Sequence, residues 1–599
     1  MKRFISCLAA AVAIGVLVTL SATAATRRTD IQKERPKAAL LARYVSDFYG
    51  GLTAQQEALY VGSEMCLACH SGPSAIHGFD TSGWRDTFHA RPFKAVPDAT
   101  NSMVVGKGIV ADANQNGIDD FIDGLDFNDP SMTVFEAYKP NAPILGYSDE
   151  TGYTVTIGEV SLRVLMAWGG NGFYKQRFVT RIPVTDRANG LSGGTYILPV
   201  QYNEKTHQYV PDHPENWYGD DNLPIFTAGA DSALAAARGR NFDSHCSGCH
   251  FTGTTIRQDS FGEWVASAAP TVLLDPDDPT YIDYNGDGIK EMTQIGCESC
   301  HGPGSRHVIG HGDPSQIVKP EDDFTTAQAN QACGACHVRG GSSDGTFGFP
   351  WDEANDHGYV NGQELSQFFT PGQGLWPDGK TSKKHHQQYQ DFIQSSKPTF
   401  PFHQVKCSEC HDLHVATEHN IRQFIDEEGA APDEIVRIPT ENDNNTLCLA
   451  CHATHEHFEQ ITKEMVADYE ANRDFIAETV SEHSHHPYAP ERKLGLSRCS
   501  KCHMPKVAKS AINYDIHSHT FEAIPPQKTL LFQEQGGMPS SCAVSCHRNI
   551  IDIFPNSFDS QIGTWSEASD VALAEWLMTY YGPDGAWWML DLEGGEDDQ

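Results

Sequence analysis

The segment Cys297-Glu298-Ser299-Cys300-His301-Gly302-Pro303-Gly304-Ser305-Arg306-His307 constrains this chain more than any other. Two thiols three positions apart, followed at once by an imidazole, share one short turn, and the Gly-Pro-Gly turn then carries a second imidazole away from the first. The same pattern recurs at Cys66/Cys69/His70, Cys246/Cys249/His250, Cys333/Cys336/His337, Cys407/Cys410/His411, Cys448/Cys451/His452 and Cys499/Cys502/His503. An eighth copy is longer by one residue, running from Cys542 to Cys546 with His547. Of the 17 cysteines only Cys7 stands outside these motifs.

Three chemistries use closely spaced cysteines. Structural zinc needs a second pair or histidines to close a tetrahedron, and gives no reason for a histidine after every second cysteine. Disulfides need no histidine either. Covalent haem c needs all three groups, because the thiols bond the two vinyl groups and the imidazole lies under the iron. Eight covalently bound haem c groups are therefore expected, and His307 is expected to reach a different iron from His301.

Residues 1–25 read as a secretory signal: Lys2 and Arg3, an apolar run from Phe4 to Leu20, then the small-residue site Ala22-Thr23-Ala24. Cys7 lies before that run is complete, too early for a lipid-bearing first residue. No later stretch is apolar for long enough to span a bilayer. An exported chain, periplasmic or extracellular, is expected. Without Lys2 and Arg3 the 43 basic residues fall to 41, against 79 acidic ones. Such a balance excludes nucleic-acid binding through phosphates and favours solubility by self-repulsion.

Texture divides the rest of the chain. Residues 26–130 hold the first motif, and helical periodicity from Ile31 to Tyr60 (Ala38, Leu40, Leu41, Tyr44, Val45, Phe48) leads into it. Residues 131–225 are β-rich and motif-free. Strands are predicted at Tyr153–Ile157, Val160–Val164, Tyr174–Val184 and Thr195–Leu198, with Pro199 marking an edge or strand end. Residues 226–555 carry the other seven motifs, joined by loops and a predicted helix from Thr462 to Glu482. Residues 556–599 hold an amphipathic helix, Trp565 to Tyr581, and an acidic tail. The fold class expected is mainly α and irregular, wrapped around a haem array, with a β-rich haem-free insertion near the amino terminus.

Two loops resemble calcium sites. Asp112, Asn114, Asn116 and Asp123 stand at positions 1, 3, 5 and 12 of one, with Gly117 at 6. Asp283, Asn285 and Asp287 stand at positions 1, 3 and 5 of the other, with Glu291 at 9 and Gln294 at 12. Ordinary turns built from Asp, Asn and Gly are the alternative reading, and calcium bound here would be structural.

Twenty of the 28 histidines lie outside the motifs, enough for a second ligand at every iron. The candidates are His89 at the end of a predicted helix from Trp84, His307, His386 beside His385, His403, His414, His455 or its neighbour His457, His485 within the group His483, His485 and His486, and His519 beside His517. His245 is a weaker choice. Met504 directly follows His503, too strained a position to bind the same iron, and reads as packing.

Taken together, these residues resemble multihaem c-type cytochromes related to octahaem electron carriers, hydroxylamine oxidoreductase and cytochrome c nitrite reductase. The resemblance runs from Tyr60 to about Pro526. It is carried by Tyr60-Val61-Gly62-Ser63-Glu64-Met65-Cys66, by Trp84 with His89, by Leu198-Pro199-Val200-Gln201-Tyr202, and by Cys249-His250-Phe251-Thr252-Gly253. Gly296 to His307, Cys336-His337-Val338-Arg339, Cys410-His411-Asp412-Leu413-His414, Cys502-His503-Met504-Pro505 and Ser518-His519-Thr520-Phe521 continue it. It implies distal ligation by His89, His307, His414 and His519, and a respiratory role outside the cytoplasm. No Cys-x-x-Cys-Lys site of the nitrite-reductase kind is present.

Two neutral imidazoles per iron favour electron transfer over substrate binding. The function expected is an octahaem electron carrier, possible as a homo-oligomer or filament. Its partners would be a quinol-linked donor and a terminal reductase, mineral or second cytochrome. The alternative is an oxidoreductase acting on a small nitrogen or sulfur oxyanion at one open haem.

Overall fold

The structure, a computed structural model, describes residues 37–72, 80–95, 111–170, 174–182, 194–225, 241–259, 262–275, 278, 281–372, 374–429, 434–441, 444–486, 497–547 and 570–581. The signal segment with Cys7, the acidic tail and residues 565–569 of the expected last helix lie outside them.

Seven antiparallel strands form the largest sheet: β1 (Phe93–Ala95), β2 (Ile144–Ser148), β3 (Gly152–Ile157), β4 (Val160–Gly169), β5 (Lys175–Arg181), β6 (Thr195–Asn203) and β7 (Gln208–Pro211). The order is β2-β3-β4-β5-β6-β7, with β1 also on β4. Alternation drives it: Tyr153, Val155 and Ile157 of β3 are buried while the residues between them are half-buried. One core packs Phe121, Phe127, Tyr153, Leu162, Phe178 and Leu198. A second core sets Met166, Val179 and Ile197 against Phe242, Phe251 and Tyr284, and so ties the sheet to the second motif.

Pro199 does not end its strand. β6 runs through it, buried along its whole length, and the pairing with β5 slips there, from Arg177 opposite Gln201 to Val179 opposite Ile197. Proline has no N–H to give a ladder, and the slip places it where none is asked for.

Outside this sheet the elements are short. A helix over residues 37–48 turns Leu41 and Val45 onto Val61 and Met65, leaving Leu40, Tyr44 and Phe48 exposed. The helix expected at Thr462–Glu482 is two, Lys463–Ala467 and Tyr469–Ser484. Asp468 breaks it at φ −105°, ψ 55°, and the Asn472 amide donates to the Asp468 carbonyl at 2.9 Å. Asp is a poor interior helix residue because its side chain competes for the backbone. Val466, Ile476 and Val480 pack with Leu449 and Ala450 of the sixth motif. The last described helix, Ala572–Tyr581, buries Leu573 and Leu577 against Ala543 of the eighth. No helix among the described residues is long and apolar enough to cross a membrane.

Candidate haem sites

Most motifs form one short helix, as at Ser63–His70, Cys297–His301, Thr446–His452 and Cys499–His503. A helical turn puts residues three apart on one face, so both thiols of each motif point the same way. The third motif ends at Gly302, whose φ of 72° side-chain-bearing residues avoid. There the chain turns into a second helix, Ser305–Ile309, which carries His307. The eighth motif keeps its geometry differently. Ala543–His547 is a π-helix, and its wider turn takes up the extra residue between Cys542 and Cys546.

Six motif histidines face another imidazole across a gap of nearly constant width. His70 faces His307 with ring centroids 6.1 Å apart, His337 faces His89 at 6.2 Å, and His250 faces His386 at 6.2 Å. His301 faces His414 at 6.3 Å, His411 faces His519 at 6.4 Å, and His503 faces His483 at 6.3 Å. Two imidazoles bonded to opposite sides of one metal, at the nitrogen–metal distance of about 2 Å known for zinc, put ring centres roughly 6 Å apart. The residues therefore fit a haem iron between each pair.

Hydrogen bonds orient these rings. Nδ1–H of His301 donates to the Val318 carbonyl at 2.8 Å, that of His307 to Asp313 at 2.8 Å, and that of His411 to His419 at 3.0 Å. His519 donates to the His517 carbonyl at 3.1 Å, and His414 to the Asp412 carboxylate at 2.9 Å. A ring whose Nδ1 holds the proton presents a bare Nε2, the form that ligates metal. Enclosure by the surrounding chain lowers His89 and His250 to about 4 and His519 to about 3. These imidazoles are neutral at ordinary pH.

A continuous cavity of about 3310 Å³ runs past the cysteines and histidines of the second and fourth to eighth motifs and reaches Cys300 of the third. It is lined by the groups that would tether and ligate haem.

The front of the molecule departs from that single hollow. Cys66, Cys69 and His70 of the first motif, with Cys297, His301 and His307 of the third segment, do not line it. Cys66 and Cys69 are instead half-buried against the core of Leu41, Val45, Val61 and Met65. Val308 and Ile309, beside His307, pack on the same core. This apolar packing sets the gap between His70 and His307 apart from the large cavity.

Other histidines singled out from sequence lie elsewhere. His403 bonds Glu409 at 2.6 Å. His455 lies near His452 and donates from Nδ1 to the Ala453 carbonyl at 2.8 Å. His245 donates to the Asn241 carbonyl at 3.0 Å. Within the cluster after the long helix it is His483, not His485, that faces a motif histidine. His485 sits one residue past the helix end, at φ 52°. The helix itself held the clue, since Ile476, Val480 and His483 fall at i, i+4 and i+7 on its inward face. His547 packs on Trp576 at 6.0 Å.

Both acidic loops are wound around their first Asp. Asn116 N and Gly117 N donate to the Asp112 carboxylate at 3.0 and 2.9 Å, and Gly286 N and Gly288 N donate to Asp283 at 2.7 and 2.9 Å. The Asn116 amide donates to Asp123 at 2.8 Å, and Ile289 N to Asp287 at 2.8 Å. Asn285 N donates to the largely buried Glu291, whose carboxyl burial pushes up to about 7. Asp119 and Asp120, not singled out from sequence, each keep one buried carboxylate oxygen without a hydrogen-bond partner. Among the described residues no group of three or more His, Cys, Asp or Glu is set to hold a metal ion by itself, so such a site would need the Asn and main-chain oxygens as well.

No family model matches the chain, and no curated protein matches it. Among solved structures it is similar to the outer cell wall cytochrome OcwA, at 19% identity over 89% of this chain and 88% of that one, with a TM-score of 0.42. It is also similar to an undecahaem cytochrome from the S-layer of Carboxydothermus ferrireducens, at 16% identity over 90% of this chain and 65% of that one, with a TM-score of 0.32.

Proposed function

We propose that this chain is an exported octahaem c-type cytochrome that carries electrons in respiration outside the cytoplasm. The observation that carries the reading is the set of six imidazole pairs, each joining a motif histidine to a histidine outside the motifs at 6.1 to 6.4 Å. Haem c, when bound, supplies an iron that exchanges single electrons. The protein's part is to tether each group through two cysteines and present Nε2 from both sides. Two imidazoles, with no methionine ligand to raise it, favour a low potential. His89, His307, His386, His414, His483 and His519 are the distal ligands on this reading. The two acidic loops bind calcium in a structural role. The partners are one-electron carriers, and a homo-oligomer or filament is compatible with it.

Mass spectrometry of the exported protein tests this directly. Eight covalent haem additions are expected, and the bare polypeptide mass would end the reading.

One observation favours a second reading, an oxidoreductase acting on a nitrogen or sulfur oxyanion. Among the described residues no imidazole faces His452 as the six pairs face each other; its titratable neighbours are Lys397, His503, His455 and Lys463. A high-spin signal that shifts on adding nitrite, hydroxylamine or sulfite to the oxidised protein would establish an open iron. A uniformly low-spin, unresponsive spectrum would leave the carrier alone.

A further inference from the structure

The motifs are fastened to one another, and not in sequence order. Cys297 N of the third donates to Ser63 Oγ, three residues before the first motif's Cys66, at 3.2 Å. Cys407 N of the fifth donates to Asn330 Oδ1, three residues before Cys333 of the fourth, at 2.8 Å. Cys499 N of the seventh donates to Asn445 Oδ1, three residues before Cys448 of the sixth, at 3.1 Å. One clasp is thus used three times, with a buried Ser or Asn at the same offset. In each case the leading thiols of the two motifs also meet: Cys66 with Cys297, Cys333 with Cys407, Cys448 with Cys499.

Further contacts link these clasped pairs. Cys300 of the third motif is within electrostatic reach of Cys333 and Cys336 of the fourth, and Cys410 of the fifth of Cys448 and Cys451 of the sixth. Ser541 Oγ, next to Cys542 of the eighth, donates to the Cys502 carbonyl of the seventh at 2.9 Å. The thiols of the second motif meet the fourth alone: Cys249 Sγ lies against Cys336 and 3.6 Å from the Ala335 carbonyl, while Thr252, two residues past His250, bonds Ser299 of the third at 2.8 Å. His337 is within electrostatic reach of His250, His386 and His411.

We propose that the fourth motif, Cys333 to His337, is the junction of a branched haem array whose through-route joins the first, third, fourth, fifth, sixth, seventh and eighth motifs, with the second motif as a side arm. The inference rests on the haem reading above and deepens it. Each transfer oxidises one site by one electron and reduces its neighbour by one, and no bond forms or breaks. External one-electron donors and acceptors close the balance at the termini, of which a branch has three. The side arm ends against the sheet, where Trp168 of β4 meets His250 at 4.9 Å between ring centroids.

Anomalous diffraction at the iron edge from crystals of the full-length holoprotein tests the connectivity without relying on activity. The iron above His337 is expected to have three near neighbours and the iron above His250 one. A linear order, with the His250 iron between those of the first and third motifs, would overturn the branch and leave the carrier reading standing. Fewer than eight irons would overturn the carrier reading itself, and the branch with it.

Discussion

His70 and His307 belong to different motif segments, yet their rings lie 22° from parallel with centroids 6.1 Å apart. His301, in the same segment as His307, faces His414 instead. One Gly-Pro-Gly turn therefore serves two sites.

Replacing one member of such a pair should leave one iron without its sixth ligand. His307→Ala and His386→Ala are each expected to convert one haem from low to high spin in the electron paramagnetic resonance spectrum, whereas His403→Ala should change nothing. Spectra of H307A and H386A identical to the parent would remove both residues from the ligand set.

The clasp residues are a test of stability. Asn330 is 2% exposed and serves both Cys407 N and the Val405 carbonyl. Asn330→Ala leaves two half-buried backbone groups unpaired, together at about 1–3 kcal/mol because solvent reaches both. Denaturant unfolding followed by visible absorption should show a loss within that range, and no loss would mean that water takes the amide's place.

Glu298 sets a pH dependence. It accepts from Val61 N at 2.9 Å, Gly62 N at 2.7 Å and Gly304 N at 2.7 Å. Burial nonetheless pushes its carboxyl from 4.5 up to about 7. A folded-state value above the unfolded one means stability that is fully present below about 4.5 and is lost as pH rises through about 7. Glu298→Gln, which does not titrate, should flatten unfolding midpoints measured across that window. An equally steep profile in E298Q would place the titrating group elsewhere.

Calcium should stabilise the fold through the Asp112 and Asp283 loops. A site filled at 100 times its dissociation constant adds about 2.7 kcal/mol. Differential scanning calorimetry should show the thermal midpoint falling on chelation and returning with calcium, and Asp112→Ala should shrink that shift. A midpoint indifferent to chelator would leave both loops as turns.

What the sequence made legible was local. Motif cysteines announce themselves because one Cys-Cys-His spacing recurs along the chain, and Tyr153, Val155 and Ile157 announce a strand because pleating fixes a period of two. The pairing of His89 with His337, or of His483 with His503, was not legible, because it depends on how distant segments meet. Nor was the separate seat of Cys66 and Cys69, whose spacing matches that of thiols lining the large cavity. The residue skipped between Cys542 and Cys546 was visible as an anomaly; that a π-helix absorbs it was not. Pro199 misled because proline's lost donor matters only where a partner strand wants it, and the slipped register removes that want.

The strap formed by Glu298 and Ser305 reaches back to Leu59, Val61 and Gly62 across more than two hundred residues of chain. During synthesis the amino-terminal motif is made long before its fastening exists. On the haem reading proposed above, its thiols stay open to attachment until the third segment arrives to fasten them.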